Sequence, residues 1–255
     1  MLFNETTFVG IDPTAGQRPM VYAALDRDLR LLALMEGTLD EILAFVGGQQ
    51  AAFVGVNAPR RPNQGLMKQQ ELRNQLRPVP RPGRYEGFRV AEYQLRVCNI
   101  RTPRTCSVES QCAGWVRTGF EVYQRLESLG YRDYPSPESA FQMLEVYPHG
   151  AFTVLLGRVP FRKFSLEGRL QRQLVLYNQG LDIPDPMRIF EEITRYRLLQ
   201  GTLILDGLFS TEELEALVAA YTAWMAASSP ENVTVLGDPA EGQVVLPTGE
   251  LKARY

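Results

Sequence analysis

The sequence contains few of the residues that form disulfides or bind zinc in small proteins. Its 255 residues include three cysteines and one histidine. An odd number of cysteines in a chain this long argues against a disulfide framework and predicts reduced thiols in a cytoplasmic protein. The spacing of Cys98, Cys106 and Cys112, with His149 far away, matches no zinc-binding pattern. We therefore expect neither a disulfide scaffold nor a zinc module.

Long hydrophobic runs are also missing. The longest run, ALVAAYTAWMAA, covers residues 216–227, whereas a membrane-spanning helix needs about 20 apolar residues. The amino-terminal stretch MLFNETTFVGID contains an acid at Glu5 and lacks the basic-then-apolar order of a secretory signal. We therefore expect a cytoplasmic protein with no signal peptide and no membrane partner, of undetermined oligomeric state.

Charge is unevenly distributed along the chain. The formal net charge is −2, but the segment from Arg60 to Arg104 contains 11 Lys or Arg and three acids, a net of +8. The remaining residues contain 16 basic and 26 acidic side chains. A basic segment in an acidic protein can attract phosphates. The alternative is a solvated, arginine-rich helical insertion.

The hydrophobic pattern predicts an α/β fold. Three short strands lie within residues 6–35, and TLDEILAFVGG reads as a helix because Thr38 and Glu41 form a capping box. The strand AAFVGV follows. This order predicts an antiparallel three-strand meander that a helical crossover extends in parallel.

The rest of the chain predicts a helical insertion and further elements of a single domain over residues 1–255. Residues 60–130 are rich in Arg, Pro and Gln and contain amphipathic helical patches. A strand at 140–148 follows, with helices at about 166–180 and 186–200. The final helix starts at Ser210, where Ser210 and Glu213 form a second capping box, and a short hairpin closes the chain.

Four acids occupy positions suited to metal chemistry. Asp12 ends the first strand, Glu145 lies near the end of the late strand, and Glu212 and Glu215 lie on one face near the start of the final helix. Convergent carboxylates suit Mg²⁺ or Mn²⁺, which can promote phosphodiester hydrolysis. Each acid also fits a purely structural role: Asp12 precedes Pro13 and suits a turn, Glu145 can be paired inside the protein, and the helix acids favour the helix dipole.

The chain resembles a family of predicted nucleases with a ribonuclease H-like fold, catalogued as domain-of-unknown-function family 429. The matching pieces run almost end to end, and their order and spacing carry the resemblance: FVGIDPTAG, FVGVNAPRRPN, AEYQLR, AGWVRTGFEVYQRLESLGY, LEVYPHGAFTVLLG, EELEALVAAYTAW and LGDPAEGQVVLP. The resemblance implies a ribonuclease H-like mixed sheet and divalent-metal-dependent phosphodiester cleavage, with Mg²⁺ or Mn²⁺ as cofactor.

The same resemblance implies individual roles. Asp12 matches the first-strand aspartate and Glu145 the glutamate of the E-x-x-P strand, while Glu212 and Glu215 replace the two aspartates of the D-x-x-D-A helix. At Asn57 the family usually has aspartate. The resemblance thus implies a metal site of Asp12, Asn57, Glu145 and Glu215, assisted by Glu212. A neutral amide at position 57 is expected to weaken metal binding.

Basic side chains of the insertion are the predicted nucleic-acid contacts. Arg60 and Arg61 directly follow the strand AAFVGV and can hold phosphate in a bidentate way. Lys68 and Arg73 extend the same segment. His149 can act near the site as a base, or lie in a Pro-His-Gly turn.

Three functions compete at this point. The first is a metal-dependent nuclease acting on structured DNA or RNA. The second is a nucleic-acid-binding module on the same fold, with catalysis reduced through Asn57. The third is a phosphotransferase of the actin/sugar-kinase type, which predicts a duplicated core and glycine-rich phosphate loops that the sequence does not display.

Overall fold

A computed structural model of the chain describes residues 6–14, 18–203 and 205–255. Strands β1 (Thr6–Asp12), β2 (Met20–Leu25) and β3 (Leu31–Gly37) pair antiparallel in chain order. This confirms the predicted meander. Two predicted features lie outside the described residues: the amino-terminal stretch around Glu5, for which no signal peptide was expected, and part of the turn between the first two strands.

The helical crossover is also confirmed. Helix α1 (Leu39–Gly47) begins after Thr38, whose backbone N–H donates to Glu41 Oε2 at 2.7 Å. The Glu41 N–H in turn donates to the Thr38 hydroxyl at 3.3 Å. Strand β4 (Ala51–Val56) then pairs in parallel with β1.

Residues 60–130 contain three α-helices joined by irregular segments. They are α2 (Gln70–Gln75), α3 (Val90–Val97) and α4 (Gly114–Ser128), with 3₁₀ turns at Leu66–Lys68 and Glu109–Gln111.

The expectation of three free thiols is wrong for two of them. Cys106 and Cys112 form a disulfide whose Cα atoms lie 5.4 Å apart, and Cys98 is free and buried. The chain turns between the bonded residues at Glu109–Gln111, which brings them together. Sequence spacing alone does not show such a turn.

The next part of the chain contains a helix that was not predicted. After β5 (Arg132–Asp133) and β6 (Phe141–Val146), helix α5 covers Pro148–Leu156. Its first residues, Pro-His-Gly, resemble a turn in sequence. Proline is nevertheless compatible with the first helical position, where a missing N–H removes no helical hydrogen bond. His149 therefore lies in the first turn of a helix and not in a loop.

The region predicted as one helix at 186–200 is interrupted. Helix α6 (Leu166–Asn178) matches its prediction, but α7 (Ile189–Glu192) and α8 (Arg195–Leu199) are separate. Ile193 is extended, and the Thr194 hydroxyl accepts a hydrogen bond from the Arg197 N–H at 3.3 Å. Thr194 thus caps a new helix and does not continue the old one.

The carboxyl-terminal elements agree with the sequence. Helix α9 (Thr211–Ser228) carries the predicted Ser210–Glu213 capping box, and β7 (Thr234–Asp238) and β8 (Gly242–Leu246) form the closing hairpin. None of the helices in the described part of the chain is both long and apolar enough to cross a membrane. The cytoplasmic location stays a prediction.

Within the described residues, the strands form one mixed, eight-stranded sheet. Its order is β3-β2-β1-β4-β6-β8-β7, and β5 pairs with β6. Strands β1, β4, β6 and β8 are parallel to their neighbours in this series. Their carboxyl ends therefore lie at one edge of the sheet.

Glycines let α9 lie directly on the sheet. A Cβ added to Gly10 would lie 1.9 Å from the Ala216 carbonyl oxygen, and one on Gly55 would lie 2.5 Å from that of Ala219. Any side chain at either glycine would push the helix away. The small residues of α9 thus hold its amino-terminal turns close to the ends of β1 and β4, while α1 and α4 pack on the opposite face.

Candidate functional site

The candidate site lies where β1 and β4 end side by side. Parallel pairing places Ile11 opposite Val56, and the Asn57 N–H donates to the Ile11 carbonyl oxygen at 2.8 Å. The next side chains, Asp12 and Asn57, emerge together at the carboxyl edge of the sheet. Asn57 Nδ2 donates to Asp12 Oδ1 at 2.9 Å.

Helix α9 adds a second carboxylate to the same amide. Asn57 Nδ2 donates to Glu215 Oε2 at 3.1 Å. Asp12 and Glu215 are both buried, with 7% and 8% of their surface exposed. The amide nitrogen faces the carboxylates because an amide oxygen in its place would bring three hydrogen-bond acceptors together without a donor. One neutral donor therefore bridges two acids.

Cations complete the polar contacts. Lys163 Nζ, from the loop between α5 and α6, lies 2.7 Å from Glu215 Oε1. Glu212, one turn earlier on α9, lies 3.8 Å from Arg18 Nη1 and is more exposed than Glu215. The predicted pair of helix acids therefore divides into a buried member at the bottom of the site and a half-exposed one at its mouth.

The pKa of Asp12 is raised to about 7, chiefly by burial and secondly by the negative charge of Glu215. The Asn57 hydrogen bond and the Lys163 charge act in the opposite direction. The ionised form of Asp12 is thus incompletely stabilised by its neighbours. A carboxylate in this state gains more from an added cation than one that already has an ion-pair partner.

A large cleft opens over these residues. Its volume is about 1070 Å³, which is at the upper end of ordinary ligand pockets. Its acidic floor is surrounded by basic side chains and by aromatic rings. The lining includes Asp12, Asn57, Glu212 and Glu215, the basic residues Arg18, Arg101, Arg162, Lys163 and Arg172, and the rings of Trp115, Tyr147, His149, Phe161 and Phe164.

Glu145 lies outside this cluster. In the sheet, Glu145 pairs with Val56, which in turn pairs with Ile11. The side chains of Ile11 and Val56 pack on the face covered by α4, whereas the side chain of the next residue, Val146, packs on the face covered by α9. Side chains alternate between the faces of a strand, so Glu145 points away from the face that Asp12 and Asn57 share. Its role as a metal ligand stays a prediction that this placement does not support.

Glu145 instead has a complete set of structural partners. Arg89 Nη2 and Nη1 donate to its Oε1 and Oε2 at 2.5 and 2.9 Å, and the Arg60 N–H donates to Oε2 at 2.8 Å. Arg89 Nε also pairs with Glu92 at 3.2 Å. Burial by itself lowers the pKa of Arg89, but the ion pairs with Glu145 and Glu92 outweigh it and raise that pKa.

The side chains at the cleft floor include donor atoms that a hard cation could use. Two carboxylates and an amide oxygen are the donor types that Mg²⁺ prefers, with waters filling the remaining positions. In the described residues, no group of three or more His, Cys, Asp or Glu side chains is arranged to hold a metal ion. A cation would therefore require the Asn57 oxygen.

The family comparison agrees with the end-to-end resemblance of the sequence. A family described as a protein of unknown function (DUF429) matches residues 10–241. The chain belongs to the DUF429 family. No curated protein and no solved structure matches it. The match covers Asp12, Asn57, Glu212 and Glu215, so the whole cleft floor lies within the DUF429 region.

The predicted phosphate contacts of this DUF429 protein are mostly engaged elsewhere. Arg60 is 9% exposed and pairs with Glu127 and Asp133. Arg61 lies 3.4 Å from the same Asp133. Their binding to nucleic acid stays a prediction, but neither borders the cleft.

The other two predicted contacts differ from each other. Arg73 is 2% exposed and donates to backbone carbonyls of its own segment, including Met67 at 2.9 Å and Arg81 at 2.7 Å. Lys68 is exposed. Some basic side chains of the insertion, such as Arg89 and Arg73, are thus engaged in contacts inside the protein.

Sequence reasoning missed the basic side chains nearest to the cleft floor. Lys163 and Arg172 lie beyond the basic segment that the charge count singled out. One signal was available: RVPFRKF, residues 158–164, alternates basic and aromatic side chains between two helices. Its position relative to Glu215 depends on how α5, α6 and α9 pack.

His149 borders the same cleft. Burial, followed by the charges of Arg172 and Lys163, lowers its pKa from the ordinary value of 6.5. The lowered pKa favours the neutral form of the imidazole. This DUF429 protein thus places an imidazole, an acidic floor and a basic rim around one cavity.

Proposed function

We propose that the protein binds nucleic acid in the cleft and hydrolyses a phosphodiester bond with the help of one divalent cation. One observation carries the proposal. Two buried carboxylates, Asp12 and Glu215, converge on a single point at the floor of a cleft whose rim is basic. An acidic floor attracts a metal ion, and a basic rim attracts a phosphate chain.

The topology supports a ribonuclease H-like assignment of this fold. An antiparallel meander of β1, β2 and β3 is extended in parallel by β4 and β6, and an acid ends the first strand. The sequence resemblance implies this same arrangement. A fold alone does not establish an activity, so the proposal depends on the side chains of the cleft.

The cation would be held by Asp12, Glu215 and the amide oxygen of Asn57. When bound, Mg²⁺ or Mn²⁺ supplies a water of lowered pKa and neutralises charge on the phosphate. Asn57 would turn its oxygen toward the ion and its nitrogen away. This reorientation has a cost, because the nitrogen now satisfies both carboxylates.

The remaining cleft residues would act on the substrate. Arg162 and Arg172 would hold phosphate oxygens, since guanidinium groups bind them in a bidentate way. Lys163 would move from Glu215 toward the phosphate as the cation takes over its charge. Neutral His149 would accept a proton, and Glu212 would orient water at the mouth of the cleft.

A second candidate is a nucleic-acid-binding module with reduced catalysis. A specific observation favours it: the Asn57 amide donates hydrogen bonds to Asp12 and Glu215, and the Lys163 ammonium pairs with Glu215. In this case the cleft binds phosphates and leaves them intact. We do not carry the phosphotransferase forward, since the described strands form one sheet and not a duplicated core.

Cleavage and binding assays separate the two candidates. Fluorescent single strands, duplexes and junctions of DNA and RNA are incubated with Mg²⁺ or Mn²⁺. We expect cut product from the native chain, none from Asp12→Ala, and unchanged activity from Glu121→Gln, which alters an exposed acid of α4. Binding that weakens with salt and yields no product supports the second candidate. Absence of both binding and cleavage contradicts both.

A further inference from the structure

The loop between α5 and α6 displays aromatic rings beside the acidic floor. We define the cleft loop as residues 157–165, GRVPFRKFS. Phe161 is 57% exposed and Phe164 is 75% exposed, and both line the cleft. Phenylalanine rings are usually buried. Two exposed rings in one short loop at a cavity therefore need an explanation.

The cleft loop is anchored on both sides. Gly157 ends α5 with a positive φ of 73°, and Ser165 caps α6 by accepting a hydrogen bond from the Gly168 N–H at 3.1 Å. The Phe161 N–H donates to Gln171 Oε1 at 2.8 Å. The Lys163 carbonyl oxygen accepts a hydrogen bond from the Thr211 hydroxyl at 3.0 Å. The two rings are thus presented by a backbone attached to α6 and α9.

Positive charge alternates with these rings. Arg162 and Lys163 lie between Phe161 and Phe164, and Lys163 Nζ lies 5.1 Å from the centre of the Phe164 ring. A ring that can stack on a base therefore has a cation next to it that can hold the adjoining phosphate. This alternation is typical of surfaces that bind unpaired nucleic acid.

A buried arginine adds an anion-binding group behind the loop. Arg172 is 3% exposed and borders the cleft. Within the described residues its contacts are one hydrogen bond to the Gly168 carbonyl at 2.8 Å and a stacking contact with the Phe152 ring, without an ion pair. A buried guanidinium without a carboxylate partner is costly. A phosphate in the cleft would supply the missing negative charge.

From these contacts we infer that the substrate is a single-stranded nucleic acid whose bases stack on Phe161 and Phe164 and whose phosphates contact Arg162, Lys163 and Arg172. The inference rests on the proposed function and names the substrate class of the same site. It replaces the structured DNA or RNA expected from the sequence. Bases in a duplex are stacked on one another, so their faces are unavailable to a protein ring.

The stacking contacts can be tested without any cleavage. A labelled 12-nucleotide single strand and a blunt duplex of the same sequence are titrated in EDTA, with fluorescence anisotropy as the readout. We expect the native chain to prefer the single strand. Phe161→Ala and Phe164→Ala should each weaken single-strand binding on the order of tenfold, with duplex binding unchanged. Phe164→Tyr should bind the single strand as the native chain does, because tyrosine keeps an aromatic ring.

A matched control and a charge variant complete the design. Phe190 is 55% exposed, like Phe161, but lies outside the cleft, so Phe190→Ala should bind normally. Arg172→Gln should reduce the slope of log affinity against log salt by about one, since one phosphate contact is lost. Thermal unfolding of each variant identifies any that fails to fold, and the exposed phenylalanine variants decide the question in that case.

Distinct outcomes separate this inference from the proposed function. Equal affinity for duplex and single strand, or unchanged binding by the phenylalanine variants, overturns the inference. If Asp12-dependent cleavage is still seen in that case, the proposed function stands. If Phe161→Ala and Phe164→Ala instead abolish self-association measured by sedimentation, the rings form an interface between copies and the inference is wrong. Failure to bind any nucleic acid overturns both.

Discussion

Two clusters of buried acids lie at neighbouring strand ends and differ in how they are neutralised. We call Asp12, Asn57 and Glu215 the open cluster, and Arg89, Glu92 and Glu145 the closed cluster. In the closed cluster, a guanidinium contacts both oxygens of Glu145. In the open cluster, a neutral amide bridges the two acids and a half-exposed lysine contacts Glu215.

The difference teaches which acid is available to a ligand. Arg89 contacts both oxygens of Glu145 inside the protein, so Glu145 serves the fold. The partners of Asp12 leave its pKa raised, to about 7, chiefly through burial. An acid that resembles a metal ligand in sequence is therefore a candidate only where the fold does not also supply an arginine. Five substitutions test this comparison, beginning with the largest expected effect.

Removing the arginine of the closed cluster should cost the most. Arg89→Leu leaves Glu92 and Glu145 buried without their shared cation, and we expect a loss of about 3–5 kcal/mol in the free energy of unfolding. Urea denaturation followed by circular dichroism measures it. Arg117→Leu removes an exposed arginine of α4 and serves as the control, with a change within about 0.5 kcal/mol. A loss below about 1 kcal/mol for Arg89→Leu would show that the closed cluster is not structural.

Neutralising Asp12 in the open cluster should have the opposite sign. Because the pKa of Asp12 in the folded chain lies above its ordinary value of 3.8, its contribution to stability is present below that value and lost as pH rises toward 7. We expect Asp12→Asn to raise the free energy of unfolding at pH 8 by about 1–3 kcal/mol. It should also make the free energy of unfolding vary less with pH between pH 4 and 7. Urea titrations at several pH values measure both effects.

The matched variant in the closed cluster is Glu145→Gln, which should destabilise the fold at the same pH. The two variants make the same chemical change, the loss of one acid, on strands β1 and β6, which flank β4. Destabilisation by both variants would contradict the distinction between the clusters.

Restoring a carboxylate at position 57 should tighten metal binding. Asn57→Asp replaces a donor by a charged oxygen between Asp12 and Glu215, so we expect the affinity for Mg²⁺ or Mn²⁺ to rise on the order of tenfold. The metal-free variant should unfold more easily, since three acids then face one another. Isothermal titration calorimetry measures the first effect and thermal unfolding the second. Asn74→Asp, which adds the same charge on α2, is the control. Unchanged or weaker metal affinity would count against the metal assignment.

Removing the lysine should have the smallest effect on stability. Lys163 is half-exposed, and its ion pair with Glu215 should contribute less than about 1 kcal/mol. Lys163→Met should nevertheless tighten divalent-metal binding a few-fold, because the ammonium no longer competes for Glu215. Lys68→Met is the exposed control. Weaker metal binding by Lys163→Met would indicate that the lysine supports the site and does not compete for it.

The sequence predicted the parts of the fold that depend on neighbouring residues. The meander, the strand before Asn57, the hairpin at the end and both capping boxes were confirmed. Each depends on a hydrophobic pattern or on side chains three residues apart. Asp12 and Glu215 were also expected at one site from their positions at a strand end and a helix start, and the family resemblance added Asn57. The structure brings both acids within hydrogen-bonding distance of Asn57.

The errors arose where a short local signal competed with a longer context. Pro148 and His149 resemble a turn, yet they begin α5. The pattern at 186–200 resembles one helix, yet Thr194 caps a second one. For Glu145, the strand was predicted correctly, but the face that its side chain occupies depends on its register against β4.

What the sequence determined by itself is the set of elements and the residues at their ends, because those signals lie within a few residues of each other. Tertiary structure decided which acids remain uncompensated. Arg89 reaches Glu145 across 56 residues of sequence, and Lys163 reaches Glu215 across 52. Such long-range pairs are formed by the packing of whole helices and loops on the sheet. The charge balance that separates a structural acid from a candidate ligand is therefore a property of the folded chain.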